Sequence, residues 1–274
     1  MINLFRKLTN NARVLPDFII AGAMKSGTSF LINFLSEHPY IKIPAYQKEI
    51  HFFDNHFYNG INWYKSYFPT KISRQFYRKF KKINFITGEK SPYYIFHPLV
   101  PQRIYSLLPK VKIIILLRNP VKRAYSHYNH SVRNKRENLT FEEAIKKETE
   151  RLKGEKDKII KSRKYRSRKY ANYSYLTRGI YVNQIKNWYK YFPKEQILVI
   201  KSEEMYRYPQ DVMNRVYEFL GLPKMKHKQF KKVFSHEYTK MDEKMSEYLK
   251  EYFKPYNLQL YDYLNVDYNW EEEK

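Results

Sequence analysis

A turn rich in glycine, lysine, serine and threonine follows the first apolar run of the chain. Run and turn read Ile19-Ile-Ala-Gly22-Ala-Met-Lys25-Ser26-Gly27-Thr28-Ser29, and an unbroken helical pattern follows. Backbone N–H groups at a tight turn, the positive end of the next helix and a lysine together bind phosphate or sulfate groups. We therefore expect an anion cradle made by Lys25, Ser26, Gly27, Thr28 and Ser29.

The position of the lysine separates this turn from that of ATPases and GTPases. In their phosphate-binding loop the lysine directly follows the second glycine, as Gly-Lys-Ser/Thr, whereas Lys25 precedes Gly27 by two positions. A nucleoside or sugar kinase would also need a magnesium-binding aspartate after a strand. The clearest strand pattern, Lys112–Leu117, is followed by Arg118 instead. A kinase is therefore only the alternative function.

A second anion subsite is expected around Arg118 and Ser126. Arg118 follows the strand pattern directly, and Ser126 lies two turns into the helix that Pro120 begins. Ligands of open parallel sheets bind at the carboxyl ends of the strands, and a guanidinium suits a terminal phosphate. One ligand with two separated phosphates would satisfy both loops.

Glu49 and His51 are the candidates for a general base. They lie two residues apart in Lys48-Glu49-Ile-His51-Phe-Phe, so on an extended segment both side chains point the same way. Either could take a proton from a substrate. The alternative interpretation of the segment is an exposed loop anchored by its aromatic pair.

Strand and helix patterns alternate along the chain. The unbroken apolar run Lys112–Leu117 indicates a strand buried on both faces, as in a parallel sheet covered by helices. The alternation predicts an α/β three-layer sandwich with a central parallel sheet, in one domain spanning residues 1–274. The predicted strands are Asp17–Ala21, Ile41–Ile43, Asn84–Gly88, Lys112–Leu117 and Gln196–Ile200; the predicted helices include Thr28–Glu37, Pro98–Leu108, Ile180–Tyr191 and Pro209–Leu220, the last ended by Gly221.

Residues 133–170 form a charge-dense helical segment with few large apolar positions and a basic stretch at 161–169. Three interpretations stay open: a solvated insertion, a lid or acceptor-binding strip, and a nucleic-acid arm.

Composition narrows the class of partner. The 274 residues carry 52 Lys and Arg against 27 Asp and Glu, a net charge of +25, which favours a polyanion. No recognition motif supports a non-catalytic nucleic-acid-binding protein, the other alternative. The absence of cysteine excludes disulfides and thiolate metal sites. Neither a signal peptide nor a membrane-spanning run is evident, so we expect a cytoplasmic protein.

Taken together, the motifs resemble those of sulfotransferases that use 3′-phosphoadenosine 5′-phosphosulfate, especially the heparan-sulfate-type N- and O-sulfotransferase domain and its bacterial relatives. The resemblance runs from about Asp17 to Trp270 and implies a P-loop NTPase-like fold. The segments that carry it are Gly22-Ala-Met-Lys25-Ser26-Gly27-Thr28, Lys48-Glu49-Ile-His51-Phe-Phe, Glu89-Lys90-Ser91-Pro92, Arg118-Asn-Pro-x-x-Arg123-Ala-x-Ser126-x-Tyr128, Arg178-Gly179-Ile-Tyr181, the strand Gln196–Ile200 and Phe219-Leu-Gly-Leu222.

The resemblance implies a role for each matching residue. Lys25 would contact the bridging oxygen and the departing 5′-phosphate, which Gly27, Thr28 and Ser29 would cradle. Arg118 and Ser126 would hold the 3′-phosphate. Glu49 would be the base, with His51 as second candidate, and Lys90 would face the sulfuryl group. No metal is needed, since lysine and arginine neutralise the charge, and adenosine 3′,5′-bisphosphate would be the product.

The chain departs from the animal enzymes after the Phe-Leu-Gly element. Their cysteine-bridged loop with donor contacts is replaced by the short, basic, cysteine-free stretch 223–240. Arg178, Gly179 and Tyr181 are expected to substitute for its contacts with the donor. The acceptor is expected to be a saccharide, or a small compound, that offers a hydroxyl or an amine.

Overall fold

The computed structural model of the protein describes residues 4–44, 49–162, 164–230 and 239–272. Lys48, one residue of the basic stretch at 161–169 and residues 231–238 of the stretch 223–240 lie outside the described residues. A five-stranded sheet forms the centre, in the order β2-β3-β1-β4-β5, and every pair of neighbouring strands is parallel. The strands are β1 Phe18–Gly22, β2 Ile41–Lys42, β3 Ile86–Lys90, β4 Lys112–Leu117 and β5 Ile197–Lys201.

Helices connect the strands and cover the sheet. They are α1 Leu4–Leu8, α2 Thr28–Glu37, α3 Gly60–Lys65, α4 Lys71–Phe80, α5 Val100–Leu107, α6 Pro120–Arg133, α7 Phe141–Lys146, α8 Glu148–Leu152, α9 Glu155–Lys161, α10 Arg168–Asn172, α11 Tyr181–Tyr189, α12 Ser202–Arg207, α13 Pro209–Leu220 and α14 Glu243–Leu264. None of these described helices has both the length and the apolarity of a bilayer-spanning segment.

The core lies on both faces of the sheet. Successive strand residues point to opposite faces, so Ile113 packs in the cluster that contains Trp188, while Ile114 packs in the cluster that contains Phe34 and Val216. Five of the six residues of β4 are buried, the exception being the first, Lys112. The three-layer α/β sandwich with a parallel sheet is thereby confirmed, and the unbroken apolar run of β4 corresponds to its burial on both faces.

Local signals in the sequence set several helix ends. Gly27, with φ of +87°, precedes α2, and Gly221, with φ of +74°, ends α13 as a C-cap. The side chain of Asn119 caps α6 by accepting from the N–H groups of Val121 and Lys122, and Pro120 occupies the first turn. The predicted starts of all three helices are confirmed.

The predicted end of the third strand was wrong. β3 continues past Gly88, because Glu89 pairs with Ile19 and Lys90 with Ile20 of β1. Gly88 is needed within the strand, since a Cβ there would lie 2.4 Å from the ring of Phe18. Glu89 and Lys90 are thus strand residues, not turn residues, and both are buried.

The segment 133–170 is helical, as predicted, but it is not simply a solvated insertion. Phe141 and Ile145 of α7 pack against Phe253 of α14, and Ile159 and Tyr170 join the main core. Three glutamates are buried in the segment, each accepting hydrogen bonds from neighbouring side chains or backbone: Glu137, Glu148 and Glu155.

Candidate active site

The sheet brings three of the predicted motifs to one edge. The loop Ala23–Gly27 follows β1, Lys90 ends β3, and Arg118 follows β4. β1 lies between β3 and β4, so the carboxyl ends of the three strands are adjacent. This is the edge at which parallel α/β sheets bind ligands.

Two side chains from other elements fix the backbone of the loop after β1. The guanidinium of Arg118 donates to the carbonyl of Lys25 at 3.1 Å, and the hydroxyl of Ser202 donates to the carbonyl of Ser26 at 3.0 Å. Gly27 has a φ of +87°, a conformation that favours glycine, and a Cβ there would lie 2.9 Å from the Tyr206 hydroxyl, so a larger residue would also displace that side chain. No side chain caps α2, which leaves the first N–H groups of the helix, at Thr28 and Ser29, for a ligand.

Positive charge is concentrated at this cradle. Burial, followed by the charges of Arg133 and Arg118, lowers the pKa of Lys25 to about 8. Burial and the charges of Lys25 and Arg133 lower the pKa of His130 to about 4. Cations crowd together at a cost in free energy, and a bound anion relieves that repulsion. The electrostatics therefore fit a site for a multiply charged anion.

Lys90 links the cradle to Glu49. Its side chain is 6% exposed overall, and its ammonium donates to the hydroxyl of Ser29 at 2.9 Å and to Oε1 of Glu49 at 3.2 Å. A single lysine thus contacts both the first turn of α2 and the candidate base.

Glu49, His51 and Asp54 form a continuous hydrogen-bonded row. Nε2 of His51 lies 3.1 Å from Oε2 of Glu49, and Nδ1 lies 2.7 Å from Oδ2 of Asp54. Burial alone would lower the pKa of His51, but the hydrogen bonds to Asp54 and Glu49 outweigh it and raise that pKa to about 10. His51 is therefore an imidazolium at neutral pH, with both N–H groups donated to carboxylates.

The same contacts keep Glu49 ionised. Burial alone would raise its pKa, but the hydrogen bond from His51 and the charge of Lys90 outweigh burial and hold the pKa below its usual value. A protonated His51 has no lone pair to accept a proton, whereas the Glu49 carboxylate does. Of the two candidate bases, the geometry favours Glu49.

Sequence reasoning missed Asp54 and the function of Glu89. Asp54 lies three residues after His51 at the start of a helical turn over Phe52–His56, a spacing that could have identified it. Glu89 was assigned to a turn and given no role.

Glu89 organises the turn that carries His51. It accepts hydrogen bonds from the hydroxyls of Tyr64 at 2.8 Å, Ser91 at 2.8 Å and Tyr94 at 3.1 Å. The Ser91 hydroxyl in turn accepts from the backbone N–H of His51 at 3.1 Å, a residue with φ of +54°. Burial raises the pKa of Glu89 to about 7, even though the three hydroxyls favour its ionised form.

Arg118 is half-buried, and its backbone carbonyl is held by a residue of α11. The hydroxyl of Tyr181, a buried residue of α11, donates to the carbonyl of Arg118 at 2.9 Å. Ser126 lies on the buried face of α6, 5% exposed. Tyr181 thus contacts the backbone at Arg118 and supports the loop.

Arg178 and Gly179 lie in the interior. The Arg178 side chain, 1% exposed, donates to the sulfur of Met24 at 2.8 Å and to the carbonyl of Ala171 at 2.8 Å. A Cβ on Gly179 would lie 2.6 Å from the ring of Phe253. Arg178 therefore supports the cradle loop from within, through Met24, whereas Gly179 packs closely against α14. Direct contact of either residue with a ligand stays a prediction.

Comparison with known proteins agrees with the fold and identifies the family. The profile of the Sulfotransferase domain family matches residues 15–256. The solved sulfotransferase of Alicyclobacillus acidocaldarius is 32% identical, with a TM-score of 0.72, over 95% of this chain and 100% of that one.

Two curated relatives are similar over most of this chain. The membrane-associated sulfotransferase kil1 of Dictyostelium discoideum is 29% identical over 94% of this chain and 67% of its own length. The heparan sulfate glucosamine 3-O-sulfotransferase 5 of Homo sapiens is 33% identical over 79% of this chain and 56% of its own length. The chain thus spans about two thirds or less of these relatives, and it belongs to the sulfotransferase family.

Proposed function

We propose that the protein transfers a sulfuryl group from 3′-phosphoadenosine 5′-phosphosulfate to a hydroxyl or amine of an acceptor, with a saccharide as the favoured class. The observation that carries the proposal is the contact chain Ser29–Lys90–Glu49–His51, which joins an anion cradle to an ionised carboxylate. Such a chain supports the proposal because a base at Glu49 would then lie beside the group that the cradle would hold.

The cradle fits the donor. The donor supplies an activated sulfuryl group, whose bond to the 5′-phosphate oxygen breaks as the acceptor atom bonds to sulfur. Lys25 and the N–H groups at the start of α2 would hold the phosphosulfate. Arg118 and Ser126 would hold the 3′-phosphate, the group that distinguishes this donor from ATP.

Glu49 acts as the base in this account. Its Oε1 accepts from Lys90 and its Oε2 from His51, and each carboxylate oxygen keeps a second lone pair. The proton of the acceptor moves to Glu49 as the acceptor attacks. His51 stays an imidazolium held by Asp54 and thereby keeps Glu49 ionised and oriented.

The lysines stabilise the charge that develops on the oxygens. Negative charge grows on the bridging oxygen as its bond to sulfur breaks, so a preplaced ammonium there binds the transition state more tightly than the ground state. Lys25 is suited to the bridging oxygen and Lys90 to the sulfuryl oxygens. Removal of one such preorganised donor costs about 3 to 4 kcal/mol in other enzymes.

A saccharide acceptor is supported by the relatives and by charge. Two human relatives are named heparan sulfate glucosamine 3-O-sulfotransferases, and heparan sulfate is a glycan. Arg133 lies at the cradle on α6 and is exposed, so it could meet an acidic chain.

The donor is tested by a thermal-shift titration with adenosine 3′,5′-bisphosphate beside ATP with magnesium. The bisphosphate at 100 times its dissociation constant should add about 2.7 kcal/mol of stability. Lys25→Ala and Arg118→Ala should each lower the affinity for the bisphosphate. Stabilisation by ATP with magnesium alone would favour a kinase instead.

A further inference from the structure

The helix α4 carries an apolar stripe on the outside of the protein. Ile72, Phe76 and Phe80 recur every fourth residue and so lie along one side of the helix. Their exposed fractions are 72%, 48% and 62%, and no residue of α4 is buried. These three side chains, the apolar stripe, contribute little to the core.

Other residues of α4 attach the helix to the protein. Arg74 forms an ion pair with Asp17 at 2.6 Å and lies over the ring of Phe85 at 5.4 Å. The ring of Tyr77 lies 5.0 Å from the ammonium of Lys42, and the hydroxyl of Thr70 caps the first turn. The helix is thus docked by a side that excludes the apolar stripe, which is free to serve a partner.

The rest of the outer surface of α4 is cationic. The helix contains Lys71, Arg74, Arg78 and Lys79 and no acidic residue, and Lys81 and Lys82 follow it. Lys71, Arg78 and Lys79 are exposed. A helix with large apolar residues along one side and lysine or arginine along another is the form that lies in the headgroup region of a membrane.

The short helix α1 lies next to α4. Arg6 of α1 donates to the carbonyls of Ser66 and Tyr67, just before α4. Arg6 also lines a groove with Ser73 and Tyr77 of α4. Phe5 and Leu8 of α1 are 65% and 75% exposed. Two neighbouring helices therefore present large apolar side chains to the exterior.

We propose that α4, with α1 beside it, binds the surface of a membrane that contains anionic lipids. Lipid phosphates and carboxylates would meet the lysines and arginines, and the apolar stripe would enter the boundary between headgroups and acyl chains. A nucleic acid or an acidic glycan would use the cations but would leave an aliphatic side chain such as Ile72 in water. A bilayer is the partner that matches both features.

This surface lies at the opposite end of the strands from the active site. Asp17, the anchor of Arg74, directly precedes β1, and Phe85 directly precedes β3. Lys25 follows β1 and Lys90 ends β3. A protein bound through α4 would keep the anion cradle away from the lipid, so lipid binding and binding of the bisphosphate should be independent.

The test is flotation of the full chain with vesicles of phosphatidylcholine, with and without phosphatidylserine. We expect the protein to float with the serine-lipid vesicles and to bind neutral vesicles at least tenfold more weakly. The variant Ile72→Ser/Phe76→Ser/Phe80→Ser should bind serine-lipid vesicles at least tenfold more weakly than the original protein. The variant Tyr248→Ser/Leu258→Ser changes two similarly exposed residues of α14, 55% and 53% exposed, and should bind them unchanged.

Separate control measurements test the folding of the stripe variant and the contribution of charge. The far-ultraviolet circular dichroism and the thermal shift with adenosine 3′,5′-bisphosphate should be the same for the stripe variant and the original protein. Lys79→Gln/Lys81→Gln/Lys82→Gln should weaken flotation and reduce its dependence on salt. The proposal is overturned if the protein does not float with serine-lipid vesicles, or if the stripe variant floats as well as the original. The second result would indicate an electrostatic surface for soluble polyanions.

Discussion

At the scale of single residues, the site depends on which group holds a proton. His51 donates both of its N–H groups to carboxylates, and its pKa is raised to about 10. Glu49 stays ionised because His51 and Lys90 outweigh the effect of burial on its pKa. His51 is therefore a fixed cation beside Glu49, and the two candidate bases differ in that only Glu49 is free to accept a proton.

Replacement of His51 should move the acid limb of the pH–rate profile. Loss of the cation and of its hydrogen bond leaves burial as the larger influence on Glu49, so the pKa of Glu49 rises and the base is protonated at higher pH. We expect His51→Asn to shift the acid limb of kcat/KM upward, since asparagine tolerates the positive φ of this position. The limb of the original enzyme should lie below the usual glutamate range. An unshifted limb in the variant would show that His51 does not control Glu49.

Lys25 should make donor binding depend on pH. Its pKa of about 8 means that the free protein loses this positive charge as the pH rises through 8. The affinity for adenosine 3′,5′-bisphosphate should therefore fall between pH 7 and pH 9 (about one unit on each side of that pKa). A bound anion favours the charged lysine and raises its pKa in the complex, so the affinity should keep falling until the pH passes that higher value.

The matched variant for this prediction is Lys25→Arg, because arginine keeps its charge throughout the range. The affinity of Lys25→Arg for the bisphosphate should not depend on pH in this interval, whatever its absolute value. An equal fall in both proteins would place the titrating group elsewhere. Isothermal titration calorimetry at each pH measures both.

At the scale of elements, patterns within short windows predicted most of the fold. The strands β1 and β4 and the helices α2 and α13 have local causes in the sequence: apolar runs, glycine caps and a proline. The extension of β3 through Lys90 depends on pairing with Ile20 of a distant segment, which no local pattern contains. The Glu89 network likewise joins residues from 64 to 94, so its role could not be read from spacing.

The candidate site was predicted to a similar extent. The motifs named the loop after β1, Glu49 and Lys90, which the structure brings into contact, because each motif is local. Whether Glu49 or His51 is the base depends on Asp54 and on burial, which the sequence alone left open. The interior position of Arg178 also depends on tertiary packing, against Met24 and Ala171.

The turn that carries His51 should be sensitive to loss of the Tyr94 hydroxyl. That hydroxyl donates to Glu89 and accepts from the buried N–H of Phe52 at 2.8 Å. Tyr94→Phe leaves this N–H without its partner, and we expect it to lower the free energy of unfolding by about 1 to 3 kcal/mol. Urea denaturation measures the change.

Tyr64→Phe is the control, because the Tyr64 hydroxyl also donates to Glu89 at 2.8 Å but its removal exposes no backbone N–H. Its effect on the free energy of unfolding should be smaller than that of Tyr94→Phe. Equal losses would mean that the Glu89 carboxylate, and not the Phe52 turn, determines the stability of this network.

At the scale of the whole molecule, the positive charge that gives the net value of +25 is concentrated in particular places. Part of it converges on the cradle, where the charges of Arg133 and Arg118 lower the pKa of Lys25. Another part covers the exterior of α4, at the other end of the strands. The charge-rich segment 133–170 packs on the core through its apolar residues and buried glutamates. That residues 1–274 form one domain stays a prediction.

Sulfuryl transfer with Glu49 as the base is best measured as transfer of radiolabelled sulfur from 3′-phosphoadenosine 5′-phosphosulfate to desulfated heparan sulfate saccharides, by the original protein and by Glu49→Gln. We expect transfer by the original protein and a loss of kcat of about 10²- to 10⁴-fold in the variant, with unchanged affinity for adenosine 3′,5′-bisphosphate. A fully active Glu49→Gln protein would contradict the assignment of the base. A protein that binds the bisphosphate but labels no saccharide would contradict the acceptor class.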